Sequence, residues 1–254
     1  MRRTLLLLTT MVVALLLAGG VALAANIQCL GGPCTGTEQN DRITGSQVDD
    51  EIDALGGGDD VKARGGDDFV DGGEGGDKIW GGVGGDLLVG GVGPDDIDGG
   101  PGTTDASEPP IAFLCTIEDP STGTELARTT GTQVLFGNDG NDDLKGGRDN
   151  DALLGGAGRN VLSGKGGDDC LELSGDENER ASGGNGNDLI GSADGNRDDI
   201  FCGAGNDTVF ADEEDRVAEN CEVVVRDSPL QATGSTPAVE VTITTPEGTI
   251  TMTP

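Results

Sequence analysis

Aspartate recurs at every ninth position early in this chain: Asp41, Asp50, Asp59, Asp68, Asp77, Asp86 and Asp95 keep the interval without a slip. Each opens an Asp-x-apolar triplet, as in Asp41-Arg42-Ile43, Asp59-Asp60-Val61, Asp77-Lys78-Ile79 and Asp95-Asp96-Ile97. Ahead of the later triplets stand glycine loops such as Gly72-Gly73-Glu74-Gly75-Gly76 and Gly81-Gly82-Val83-Gly84-Gly85. Carboxylates brought close together repel one another and need a cation between them. Glycine tolerates positive φ, so the loops can aim backbone carbonyls into the same gap. Carboxylate and carbonyl oxygens, about six with no nitrogen or sulfur donor, select a hard cation, and an irregular, flexible cage favours Ca²⁺ over Mg²⁺.

The spacing also dictates what must position these groups. Six residues of glycine-rich turn and three of x-apolar-x make one short strand per repeat, and two repeats return the chain to its starting side, so one coil is eighteen residues. Side chains alternate along a strand, which turns the aliphatic residue inward and its neighbours outward. Coils then stack at about 4.8 Å. Ile43, Val61, Ile79 and Ile97 form one inner ladder, faced by Ile52, Val70 and Leu88. Such a core is thin. A buried aliphatic side chain contributes about 1.5–3 kcal/mol, but ordering costs about 1–2 kcal/mol of backbone entropy at every residue. Bound cations must supply the difference.

A second, less regular series follows. Asp142-Asp143-Leu144, Asp151-Ala152-Leu153, Asn160-Val161-Leu162 and Asp169-Cys170-Leu171 are in phase, and a degenerate stretch at 173–182 shifts the phase by one. Asp188-Leu189-Ile190, Asp198-Asp199-Ile200 and Asp207-Thr208-Val209 resume it, and Asp215-Arg216-Val217 closes it. Asn160 lacks a carboxylate, so its loop is expected to bind a cation more weakly.

Composition narrows the function. The 254 residues include 47 glycines and no histidine, and 47 acidic against 15 basic residues leave a formal charge of −32. Nucleic acid and anionic membranes need Lys/Arg footprints and are excluded as partners. Without histidine there is no Ser-His-Asp or Cys-His catalysis and no HExxH zinc hydrolysis. Low aromatic content with high charge would ordinarily mean disorder; the nine-residue lattice predicts disorder only without calcium.

Residues 1–24 read as a secretory signal peptide: Met1-Arg2-Arg3, an apolar core from Leu5 to Leu17, and Ala22-Leu23-Ala24 as the cleavage site. The protein is therefore expected to be exported, with no membrane insertion after cleavage. All six cysteines follow the leader, and an even count in an exported chain reads as disulfides. Proximity favours Cys29–Cys34 and Cys202–Cys221, leaving Cys115–Cys170 by default. No C-x2-C pair supports zinc.

The segments Gly72–Trp80, Gly81–Val89 and Gly90–Asp98 follow G-G-x-G-x-D-x-U-x and resemble the haemolysin-type calcium-binding nonapeptide of the repeats-in-toxin (RTX) family. The resemblance covers 36–102 and 134–219. It implies an all-β fold, a right-handed parallel β-roll with several Ca²⁺ ions in its turns, about five in the first array. It also implies the sixth-position aspartates as ligands: Asp50, Asp59, Asp68, Asp77, Asp86 and Asp95, then Asp142, Asp151, Asp169, Asp188, Asp198 and Asp207. Carbonyls of the preceding loops join them, at Gly73, Gly75, Gly82, Gly84, Gly91 and Gly93. Gln39 and Val48 replace the fourth glycine in the first two repeats, so those loops should be poorer sites. Family members exported by the type I route use an uncleaved C-terminal signal; with an N-terminal one, this chain is not inferred to be a type I toxin.

The expected organisation is a cap at 25–35 holding Cys29 and Cys34, a first array at 36–102, an insertion at 103–133, a second array at 134–222 and a Thr/Pro-rich tail at 223–254. Phe69 and Leu87 should form an outward apolar strip on which Ile111–Ile117 docks, with Trp80 isolated on the other face. About thirty residues of insertion are too few for a catalytic domain, and no GxSxG or HExxH motif occurs, so no enzyme is expected. The sequence thus points to a secreted protein that folds on binding Ca²⁺, in a structural or adhesive role. The alternative is an accessory module of a secreted hydrolase system, or an adhesin using 103–133 to bind a protein or cell-surface partner. Ice binding is disfavoured, because the third loop position never holds Thr in the first array.

Overall fold

A computed structural model describes residues 24–102, 133–175 and 177–226, together with the backbones of strands Ala112–Asp119, Thr124–Thr130, Val241–Thr245 and Gly248–Met252. The repeats build two parallel ten-stranded sheets, and successive strands alternate between them. In one sheet Ile43, Val61, Ile79 and Ile97 pair in register. In the other Ile52, Val70 and Leu88 do the same. All seven are fully or almost fully buried and belong to one continuous core. The two inner ladders predicted from the spacing are those observed.

The stack does not stop at the insertion. Ile97 pairs with Leu144 and Leu88 with Leu135, so the two arrays form one roll that the chain leaves after one coil and re-enters at the next. Ala112–Asp119 and Thr124–Thr130 form an antiparallel hairpin, extended by Val241–Thr245 and Gly248–Met252 into a four-stranded sheet. The expected docking of Ile111–Ile117, and the side chain of Cys115 in the expected Cys115–Cys170 bond, lie outside the described residues. Cys29–Cys34 and Cys202–Cys221 are bonded as expected, with Cα atoms 5.7 and 5.2 Å apart, one near each end of the roll. Phe69 and Trp80 are exposed on opposite sheets.

Several strands are longer than the three residues expected. Asp60–Gly65, Lys78–Val83 and Leu87–Val92 each run six. Arg64 still pairs with Gly82, and Gly65 with Val83, so the ladder continues into the glycine loop before the chain turns. This brings backbones of adjacent coils close at the fourth loop position. Gly84 has a φ of 147°, and a Cβ added there would lie 1.9 Å from the Gly66 carbonyl oxygen. That oxygen belongs to backbone and cannot move aside. Gly84→Ala is expected to destabilise the Ca²⁺-saturated protein by about 3 kcal/mol or more. Gly195 also has positive φ but faces nothing within 4 Å, so Gly195→Ala should cost only about 1–2 kcal/mol. Denaturant unfolding of the two variants at equal Ca²⁺ checks the contrast.

Candidate metal centre

Stacking coils eighteen residues apart places each sixth-position aspartate directly above its predecessor. Along one edge the backbone N–H of Asp41 donates to Asp59 Oδ1 at 2.6 Å, Asp59 to Asp77 and Asp77 to Asp95 at 2.8 Å, and Asp95 to Asp142 at 2.9 Å. Along the other, Asp50 donates to Asp68 at 2.8 Å and Asp68 to Asp86 at 3.1 Å. Asp151, Asp169 and Asp188 continue it onto Asp169, Asp188 and Asp207. On the first edge Asp198 donates in turn to Asp215. All twelve aspartates named from the sequence lie in these two ladders, and all are buried.

One oxygen of each carboxylate is thus committed to the coil below, and the other decides the chemistry. Oδ2 of Asp59, Asp68, Asp77, Asp86, Asp95, Asp142, Asp169 and Asp198 is buried with no hydrogen-bond donor. The second loop residue explains most of this pattern. At Leu55, Arg64, Gly73, Gly82, Gly91, Asn138 and Lys165, ahead of the first seven of these aspartates, φ is positive. At Thr37, Ser46 and Gly147, where φ is not positive, the turn closes on its own aspartate. Thr37 N–H donates to Asp41 Oδ2 at 2.7 Å, Ser46 N–H to Asp50 Oδ2 at 2.6 Å, and Gly147 N–H to Asp151 Oδ2. Asp50 and Asp151 therefore differ from the eight: both oxygens of Asp50 accept backbone hydrogen bonds, and Oδ2 of Asp151 accepts one from its own turn.

The donor-free oxygens sit in cradles. A Cβ added to Gly81 would lie 2.4 Å from Asp86 Oδ2 and 2.7 Å from the Gly99 carbonyl oxygen of the next coil. At Gly90 the corresponding atoms are Asp95 Oδ2 at 2.4 Å and the Gly137 oxygen at 3.0 Å. The six glycines named as carbonyl donors all have positive φ. Oxygens of Gly73 and Gly75 face Gly91 and Gly93 one coil on. The carbonyl oxygens of Gly90, Gly99 and Gly137 flank the same glycine positions as Oδ2 of Asp77, Asp86 and Asp95.

Burial without a counter-charge raises the carboxyl pKa values. Desolvation, reinforced by neighbouring carboxylates, pushes Asp86 and Asp169 up to about 8. Asp68, Asp95 and Asp198 rise to about 7, and Asp59 and Asp142 to about 6, from an ordinary 3.8. Asp41 shows the opposite. Although burial opposes it, donors from Ala25 and Thr37 hold its carboxyl below the ordinary value.

Further ladder members carry no aspartate and escape a search for Asp-x-apolar. Gln133 stands opposite Asp151 and donates to the Gly99 carbonyl at 2.9 Å. Glu179 receives the amide of Asn160 and donates its backbone N–H to Asp198. Glu222 accepts from Asp207 N–H. Counting sheet register through the insertion and the degenerate stretch would have found the first two. Asn160 keeps the ladder bond, accepting from Asp142 N–H at 2.9 Å, and its Nδ2 donates to the Gly156 carbonyl at 3.1 Å. At this position an amide N–H, not a carboxylate oxygen, faces the loop carbonyl.

Buried, donor-free carboxylate oxygens beside carbonyl oxygens, with no nitrogen or sulfur ligand, fit a hard divalent cation of the Ca²⁺ type. The fold and this site define a calcium-binding parallel β-roll. A family model described as the RTX calcium-binding nonapeptide repeat (4 copies) matches residues 35–70, 53–88, 71–103, 134–171 and 173–209, more than half of the chain. The chain belongs to the RTX calcium-binding nonapeptide repeat family, whose repeats bind Ca²⁺. Among curated proteins, none matches the chain.

Proposed function

We propose that the protein is a secreted structural module whose repeats fold as they bind Ca²⁺. The ions would be held by Oδ2 of Asp59, Asp68, Asp77, Asp86, Asp95, Asp142, Asp169 and Asp198 with carbonyls of the glycine loops; Asp188 and Asp207 occupy equivalent ladder positions. The observation carrying this reading is the row of buried carboxylate oxygens with no protein donor, which a divalent cation would satisfy together with the flanking carbonyls. Two disulfides and the leader-like first 24 residues support export. An extended acidic chain at low cytosolic Ca²⁺ would suit passage out of the cell, and Ca²⁺ outside would then stack the coils. Adhesion through the 103–133 insertion is the second use, favoured by its departure from an otherwise unbroken roll.

The site assignment separates two aspartates of the same ladder. Asp86→Asn should lower the number of Ca²⁺ ions bound, or raise the Ca²⁺ concentration at half-saturation by about tenfold or more, while Asp50→Asn should change neither. Equilibrium dialysis with radioactive Ca²⁺ reads both. Equal losses from the two variants would mean that the donor-free oxygen is not the ligand.

A further inference from the structure

The nine-residue spacing is broken twice on the same edge: Asp169 to Glu179 and Asp188 to Asp198 are each ten residues. The two enlarged turns stack on one another. Glu179 N–H donates to Asp198 Oδ1 at 2.7 Å, and Asn196 Nδ2 from the upper turn donates to the Gly175 carbonyl of the lower at 3.1 Å. The enlargement brings Asp194 against the ladder carboxylates. Ligand oxygens of Glu179, Asp194 and Asp198 all lie within 4.8 Å of one another. Glu172, at the end of strand Cys170–Glu172, is buried close by, and its burial, reinforced by the charges of Asp194 and Glu179, pushes its carboxyl pKa up to about 8.

Hydrogen bonds do not account for this cluster. Glu179 accepts from Asn160 Nδ2 and Gly175 N–H, and Asp194 Oδ1 from Asn196 N–H. Asp198 Oδ2, Asp194 Oδ2 and Glu172 Oε2 receive nothing; Asp198 is 0% and Glu172 7% exposed. Among the described residues no Lys or Arg forms an ion pair with any of the four. The adjacent Arg180 lies over the Phe201 ring instead, 4.7 Å from its centroid. Three acids converging without a counter-charge, with buried Glu172 close by, differ from the glycine-loop cradles, where one carboxylate oxygen meets carbonyls.

We infer that Glu179, Asp194 and Asp198, with buried Glu172 close by, form a separate, carboxylate-rich site for a hard divalent cation of the Ca²⁺ class. It shares Asp198 with the proposed lattice but needs no glycine-loop carbonyl. Affinity for Ca²⁺ rises with the number of charged ligands and the rigidity of the cage, so this site should fill before the regular turns and pin the coils where the repeat pattern fails.

Equilibrium dialysis of the full chain with radioactive Ca²⁺ tests the inference, using Glu172→Gln/Asp194→Asn beside Asp77→Asn. Neither position of the double variant is a sixth-position ladder residue of the nonapeptide repeats. The double variant should lose one ion, the first to bind, and keep its far-UV circular dichroism at saturating Ca²⁺. An unchanged count and unchanged first-site affinity would overturn the inference. Asp77→Asn keeps the two readings apart: loss there alone supports the lattice and sinks the enlarged-turn site, loss in the double variant alone does the reverse, and loss in neither overturns both. Should the double variant not fold at saturating Ca²⁺, Asp194→Asn alone, half-buried in its turn, gives the same reading: first-site affinity weaker by about tenfold or more supports the site, and unchanged affinity overturns it.

Discussion

Chelating Ca²⁺ is expected to abolish the β-sheet circular dichroism of the repeat region, and returning Ca²⁺ should restore it. Oδ2 of Asp59, Asp68, Asp77, Asp86, Asp95, Asp142, Asp169 and Asp198 lies buried without a donor along the two ladders. Two unit charges about 5 Å apart at an effective dielectric near 20 repel by about 3 kcal/mol. A folded domain has only about 5–15 kcal/mol of net stability, so a few such pairs along one edge exceed what a small protein holds in reserve. The aliphatic ladders cannot compensate, because one inward side chain serves nine residues. Each coil contacts only its neighbours, as in other solenoids, so loss of ions from the middle exposes both flanking coils and the collapse should propagate. The return should centre at about 10⁻⁴–10⁻³ M Ca²⁺, as in extracellular calcium modules. A β signal unchanged by EGTA would sink the coupling of folding to binding.

Much of this arrangement is legible in the sequence because one period controls both the core and the site. The nine-residue interval assigns Ile43, Val61 and Ile79 to one wall and Ile52, Val70 and Leu88 to the other, and both walls are observed. It also predicts two edge ladders of aspartates, and those form. The state of the second carboxylate oxygen is not legible. It depends on φ at the second loop residue, and residue type does not determine that angle here. Leu55, Arg64 and Lys165 adopt positive φ despite their side chains, whereas Gly147 does not. Neighbouring coils impose the angle, so it emerges only from the stack. The enlarged-turn site escaped for a related reason. Glu172 is the ninth residue of the Asp169 repeat and Asp194 lies in an enlarged turn, positions with no ligand in the regular pattern, and two one-residue insertions nineteen residues apart stack to place Asp194 against the ladder.

Acid should replace calcium. In the ion-free roll the donor-free carboxyls have folded-state pKa values of about 6 for Asp59 and Asp142, about 7 for Asp68, Asp95 and Asp198, and about 8 for Asp86 and Asp169. Unfolded, the same groups titrate near 3.8. A raised folded-state pKa means that the folded chain holds protons the unfolded chain releases. Stability from these groups is therefore fully present below pH about 3.8 and is lost as pH rises to about 8. A proton on Asp86 Oδ2 also gives that atom an O–H to donate, with the Gly99 carbonyl flanking the same cradle. The chelated protein should thus show β structure near pH 4 and lose it progressively by pH 8. With limiting Ca²⁺ the sign reverses for binding, since the ion requires the carboxylate: half-saturation should move to higher Ca²⁺ as pH falls through the same window. A circular dichroism titration from pH 3 to pH 9 in EGTA, repeated at fixed low Ca²⁺, distinguishes the two protonation effects. A chelated chain as disordered at pH 4 as at pH 8 would show that the buried ladder is not what holds the ion-free roll apart.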